Sequence, residues 1–216
     1  MSVQQMTAKQ AVSRIESGAT LMVGGFGLSG VPFKLVDALV ESDRRDFTLI
    51  SNNIGTPGQG LGKMLNTGRI RKAIGTYFTT NPDVGEAYQQ GRLEVKLLPQ
   101  GTFCEAIRAG GSGIPAFYTP TAAETELAEG KEVREFEGRP HVLEKALKAD
   151  VSLVKAHLAD ELGNLVYYKT ARNFNPLMAM ASHLTIVEVD RIVPAGMLDP
   201  EAIITPHPFV DILITE

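Results

Sequence analysis

The sequence predicts an α/β fold: a mixed, largely parallel sheet flanked by helices, with antiparallel hairpins in the second half. Three observations carry that prediction. Short apolar runs of strand length alternate with amphipathic helical stretches from residue 7 to residue 113. Three of those strands empty into turns rich in glycine or side-chain amides. After Ile114 the alternation gives way to β-type runs joined by short turns.

Residues 7–17 read as a helix, with Thr7 as cap, Ala11, Val12 and Ile15 on one apolar face, and Gly18 as stop. Residues 20–23 form a short apolar strand that runs into Gly24, Gly25, Phe26, Gly27, Leu28, Ser29 and Gly30. Pro32 suits the first turn of the next helix, whose buried stripe is Leu35, Val36, Leu39 and Val40. Residues 47–50 are a strand ending at Ser51, Asn52 and Asn53, and a short helix covers residues 61–65. Strands at 70–78 and 93–98 flank a helix at 83–90. Gln100 and Gly101 then lead into a helix for which Thr102 and Glu105 have capping-box spacing, and Gly110, Gly111 and Gly113 stop it.

In the second half, residues 131–136 and 140–147 flank a Glu137-Gly138-Arg139 turn and predict an antiparallel hairpin. Residues 151–157 and 165–168 suit a second one, so a mixed sheet is expected. Asn175 and Pro176 cap a helix through Ser182, followed by strands at 183–189 and 209–214. The glutamate-rich stretch 124–137, compensated by Lys131 and Arg134, reads as solvated surface.

With 216 residues and 23.3 kDa, the chain is expected to form one domain over residues 1–216, burying roughly 70% of the surface its unfolded form exposes. No uncharged apolar run approaches the ~20 residues that cross a bilayer, and the first twenty residues lack the apolar centre of a secretion signal. A single cysteine, Cys104, cannot form an internal disulfide, so a cytoplasmic location is expected. The net charge of −4 divides into +3 through Arg108 and −7 beyond it. No basic cluster interleaved with aromatics suggests a nucleic-acid partner.

Ligands of parallel sheets bind outside the carboxyl ends of the strands. If the strands are parallel, the turns at Gly24 to Gly30, at Asn52 and Asn53, and at Gln100 to Thr102 meet at one edge. Free amides of the glycine turn and of the helix near Thr102 would then face an anion. Structural readings are equally at hand: glycines for a tight turn, Asn52 and Asn53 for turn bonds, Gln100 in an exposed loop.

Several specific chemistries lose support. Gly25-x-Gly27-x-x-Gly30 fits a dinucleotide fingerprint, but the acid at the right count, Asp46, precedes the second strand instead of ending it. There is no Walker-type loop, and Val31 replaces the last glycine of a serine-hydrolase elbow around Ser29. His141, His157, His183 and His207 are widely spaced, so no metal site is expected. Cys104 lies where a helix start could depress its thiol pKa, although burial as a small apolar side chain explains it more simply. Lys169 and Arg172 could reach an anionic substrate, but also suit an ordinary solvated or interface charge.

Taken together, several stretches resemble the A subunit (alpha) of the family I 3-oxoacid CoA-transferases. They are residues 21–32, Ser51-Asn52-Asn53, residues 99–102 running into 105–113, residues 128–132, and Ala171-Arg172-Asn173-Phe174-Asn175-Pro176. They span nearly the whole chain in family order, and their combination is specific where each alone is weak.

The resemblance implies a CoA-transferase-like fold paired with a homologous B subunit, in an αβ unit or an α2β2 heterotetramer. The implied reaction moves CoA from an acyl-CoA to a free carboxylic acid through a glutamyl-CoA thioester, with succinyl-CoA and acetoacetate the leading pair. CoA is then a substrate, and no cofactor is implied. The nucleophilic glutamate of the family lies in a Glu-Asn-Gly-type motif of the B subunit, and this sequence contains no Glu-Asn pair. By resemblance, Gly24 to Gly30 form the CoA-associated loop, and Asn52, Asn53 and Gln100 are the supporting amides at the reacting carboxylate and thioester.

Residues 54–60 and 79–82 depart from relatives, leaving acetate or 3-oxoadipate open as acids. Two other classes compete: a self-contained sugar-phosphate isomerase or phosphosugar-binding protein, and a non-catalytic regulatory partner of the same fold.

Overall fold

The computed structural model describes residues 3–215; Met1, Ser2 and Glu216, which the sequence reading of the terminus and of residues 1–216 includes, lie outside them. Its main sheet contains β1 (Gln4–Gln5), β2 (Thr20–Val23), β3 (Phe47–Ile50), β4 (Ile70–Gly75), β5 (Glu94–Leu97), β9 (Ala149–Asp160), β10 (Leu165–Val166), β11 (Ser182–Val193) and β12 (Ile212–Ile214). The order is β1-β12-β11-β9-β2-β3-β4-β5, with β10 beside β9. Every pair along that path is parallel, and only β10 runs antiparallel.

Successive strand residues point to opposite faces, so each central strand feeds two cores. Leu21, Val23, Leu49, Leu153 and Ile186 pack under α1 (Ala8–Val12), α2 (Phe33–Glu41), α3 (Leu61–Asn66) and α4 (Pro82–Gln89). Met22, Ile50, Val154 and Val187 pack under α5 (Gln100–Gly111) and α6 (Asn175–Ala179).

The expected mixed sheet is divided differently. The 137–139 hairpin is present as β7 (Val133–Phe136) and β8 (Arg139–Lys145), but with β6 (Ala116–Thr119), a strand the sequence did not reveal, it forms a separate antiparallel sheet. The second hairpin exists only as the two-residue β10 against the end of β9, its turn closed by Asp160 Oδ1, which accepts the N–H groups of Leu162, Gly163 and Asn164.

Several boundaries move for identifiable reasons. α1 stops at Val12 because the Ser13 hydroxyl bonds back to Gln10 O at 2.6 Å, although Thr7 and Gln10 do make a capping box. β4 ends at Gly75 because the N–H groups of Thr76 and Tyr77 both turn to Asn52 O. α6 ends at Ala179, and Asn175 is its first residue instead of its cap. The terminal strand shortens to β12, with Phe209 in a 3₁₀ turn.

Candidate active site at the carboxyl edge of the sheet

The turns after β2, β3, β4 and β5 converge on a cleft of about 380 Å³ whose walls include Phe26, Gly27, Asn52, Asn53, Thr76 and Gln100. Parallel pairing of these four strands puts their carboxyl ends on one edge. At the end of β3 the Ser51 hydroxyl donates to Val23 O at 2.8 Å and ties that turn to β2.

Asn52 and Asn53 are buried, with 1% and 7% exposure. Asn52 Nδ2 donates to Thr76 Oγ1 at 2.8 Å and reaches Gln100 Oε1 at 3.5 Å, while Asn53 Nδ2 donates to Asn52 Oδ1 at 3.3 Å. Asn53 Oδ1 accepts the Gly55 N–H, a turn bond of the kind its sequence position suggested. Gln100 is exposed at the mouth, and among the described residues its Nε2 has no acceptor in range.

The helix behind Gln100 does not start as the Thr102–Glu105 spacing predicted. α5 begins at Gln100 with Pro99 in the cap position and no side-chain cap. Thr102 points into the protein, 4% exposed, with Oγ1 unpartnered among the described residues, and Glu105 forms two bonds with Arg108 at 2.8 and 2.7 Å. Thr102 is the third residue of α5, past the cap position, and buried, so the free amides of the first turn get no side-chain cap from it.

Of the seven residues from Gly24 to Gly30, Phe26 and Gly27 line the cleft. Phe26 and Ser29 exchange both backbone bonds at 3.0 Å, closing a tight loop around Gly27 and Leu28. Gly24, Gly25, Leu28, Ser29 and Gly30 stand outside the lining. A Cβ on Gly24 would lie 1.8 Å from Asn175 Oδ1, so packing alone accounts for that glycine.

The sequence reading did not single out Thr56, Thr76, Tyr77 or Thr80 as lining residues. In sequence these positions fall in variable turns or in a strand run, with no local signal of a binding role. Lys169 and Arg172, carried on a 3₁₀ turn, do not line the cleft; Lys169 lies over the Tyr168 ring at 5.0 Å. The lining holds amides, hydroxyls and aromatic surface and, among the described residues, no carboxylate, imidazole, thiol or cationic side chain. Such a wall can bind a carbonyl and stabilise an oxyanion, but it lacks the cation a sugar phosphate favours and supplies no acid to attack a thioester.

The fold and this amide-lined cleft fit a protein that binds an acyl group, and similarity to known proteins gives the family. The chain belongs to the coenzyme A transferase family, whose model matches residues 5–216. Its activity is accordingly of the CoA-transfer class. It is 51% identical over 208 residues to the A subunit of succinyl-CoA:3-ketoacid coenzyme A transferase from Xanthomonas campestris pv. campestris strain B100, covering 96% of this chain and 86% of that protein. It is 44% identical over 214 residues to the alpha subunit of acetate CoA-transferase from Escherichia coli strain K12, covering 99% and 97%. The fold matches an acyl-CoA transferase of Escherichia coli O157:H7, solved as a thioester complex with CoA, with a TM-score of 0.86 at 20% identity over 100% of this chain and 47% of that one.

Proposed function

We propose that this chain is the A subunit of a heteromeric 3-oxoacid CoA-transferase that moves CoA from succinyl-CoA to a 3-oxoacid such as acetoacetate. The carrying observation is the composition of the cleft, which among the described residues has neutral donors and no carboxylate. An attacking glutamate would enter from the B subunit. There CoA exchanges its acyl group for the glutamyl carbonyl, releases the first acid, and passes to the second, so one difficult exchange becomes two easier halves.

Asn52, Asn53 and Gln100 are the donors for the oxyanions formed in each half, and the free Gln100 Nε2 is the group best placed to turn toward one. Neutral amides suit this task because they stabilise developing charge without locking the attacking carboxylate in a salt bridge. Phe26 and Gly27 form the part of the glycine turn that meets the acyl-CoA. Preference for a 3-oxoacid over acetate rests on the higher identity to the succinyl-CoA:3-ketoacid enzyme.

Reconstitution tests the reading. The purified chain mixed with its cognate B subunit is expected to exchange CoA between succinyl-CoA and acetoacetate faster than with acetate or 3-oxoadipate, and the chain alone to give no exchange. Gln100→Ala in the assembled enzyme is expected to lower kcat by about a hundredfold, the typical cost of losing one oxyanion donor. Full activity from the isolated chain would overturn the division of labour.

A further inference from the structure

The pairing of β2 with β9 stops where a side chain from elsewhere replaces it. The register runs from Leu21 with Val151 to Val23 with Leu153, and the Gly24 N–H donates to Leu153 O at 3.0 Å. In a parallel ladder the next bond would join the Lys155 N–H to the Gly24 carbonyl. That N–H instead donates to Asn175 Oδ1 at 2.9 Å.

The other end of the same amide holds the far side of the glycine turn. Asn175 Nδ2 donates to Gly30 O at 3.0 Å and to Ala171 O at 2.8 Å, with Asn173 Oδ1 at 3.4 Å. Asn175 is fully buried, at 0% exposure. Next to it Asn173 Nδ2 donates to Ser29 O at 3.0 Å, and the hydroxyls of Ser29 and Thr170 lie 3.1 Å apart. Residues 170–175 thus strap a turn whose tip, Phe26 and Gly27, forms one wall of the cleft.

We propose that Asn175 is a positioning residue for CoA transfer: its carboxamide takes the place of the next β2–β9 ladder bond beside Gly24 and holds the Gly30 foot of the glycine turn, so that Phe26 and Gly27 keep their place at the reacting centre. The function of the turn rests on the reading above, whereas the strap itself does not. Only an amide does this work, because one atom must accept an N–H while the other donates to two carbonyls. Aspartate would keep the acceptor and set a second oxygen, buried and charged, against Gly30 O and Ala171 O.

The test uses the assembled enzyme with Asn175→Ala, Asn175→Asp and Asn173→Ala. Hydrogen exchange without substrates is expected to quicken at residues 24–30 and at the Lys155 amide, while the end of β3 keeps its protection. Steady-state kinetics are expected to show kcat lowered by about ten- to a hundredfold in both Asn175 variants, the scale of a displacement near 1 Å, with KM for the acid nearly unchanged. Asn173→Ala, at a half-buried position, is expected to show the same split with a smaller loss. An assembled Asn175→Ala enzyme with wild-type kcat and wild-type exchange would overturn the proposal. Should the Asn175 variants fail to assemble, wild-type kcat in Asn173→Ala would overturn it. Absence of transfer by the wild-type complex would defeat the functional reading alone, since the exchange measurement still decides the strap.

Discussion

Cys104 is half-buried on α5 and packs against the core beneath α5 and α6. Burial, with a smaller contribution from the neighbouring Glu105 carboxylate, pushes its thiol above the ordinary range. Of its two sequence readings, the helix-start thiolate therefore loses to the small apolar side chain. Iodoacetamide at neutral pH is expected to alkylate Cys104 more slowly than an exposed free thiol, since only the thiolate reacts; a rate equal to that of free cysteine would refute this. A competition between charge and burial also governs Asp190, which with the buried Glu188 flanks the Lys155 ammonium at 2.5 and 3.2 Å. Burial works to raise the Asp190 pKa, but the bonds from His157 and Lys155 outweigh it and hold the carboxyl below its usual range.

At the level of elements, α5 shows why two glycines near its end do more than stop a helix. A Cβ on Gly110 would lie 1.9 Å from Leu147 O, and the Leu147 N–H in turn donates to Ala106 O at 2.9 Å. Helix propensity alone would make Gly110→Ala stabilising by about 1 kcal/mol. The clash is with backbone that is itself bonded to the helix, so overpacking of about 1–3 kcal/mol governs the sign. Urea denaturation of Gly110→Ala is expected to show a lowered midpoint, and an unchanged or raised one would show that the backbone at Leu147 yields. α2 makes the complementary point: its first-turn amides at Lys34 and Leu35 are met at 2.8 and 3.4 Å by Glu188 of β11, more than 150 residues away in the chain. No local pattern discloses such a cap.

For the molecule as a whole, the two halves of the chain are not two bodies. β9, β11 and β12 continue the sheet from β2, and β1 pairs with β12, so the +3 and −7 halves both contribute strands to the main layer. β9 and β11 are paired from Ala149 with Ser182 to Asp160 with Val193 and lie between both cores. The small β6-β8-β7 sheet has one strand, β7, exposed at every position. Native-state hydrogen exchange is therefore expected to be slowest in the centres of β9 and β11, and to reach β7 and its partner positions on β8 through a lower-energy local opening. Equal protection in the two sheets would count against that hierarchy.

Alternation of apolar strands and helices, together with the turns at Gly24 to Gly30, at Asn52 and Asn53, and at Gln100, was readable from residue order because period and turn chemistry are local properties. The stretches that carry the family resemblance were readable for the same reason. Which strands lie side by side, why β6 joins a second sheet, why Thr102 is buried and unable to cap, and how Asn175 replaces a strand partner were not readable. Those features are set by contacts between distant segments, where burial and the need to satisfy each backbone N–H and C=O override local preference.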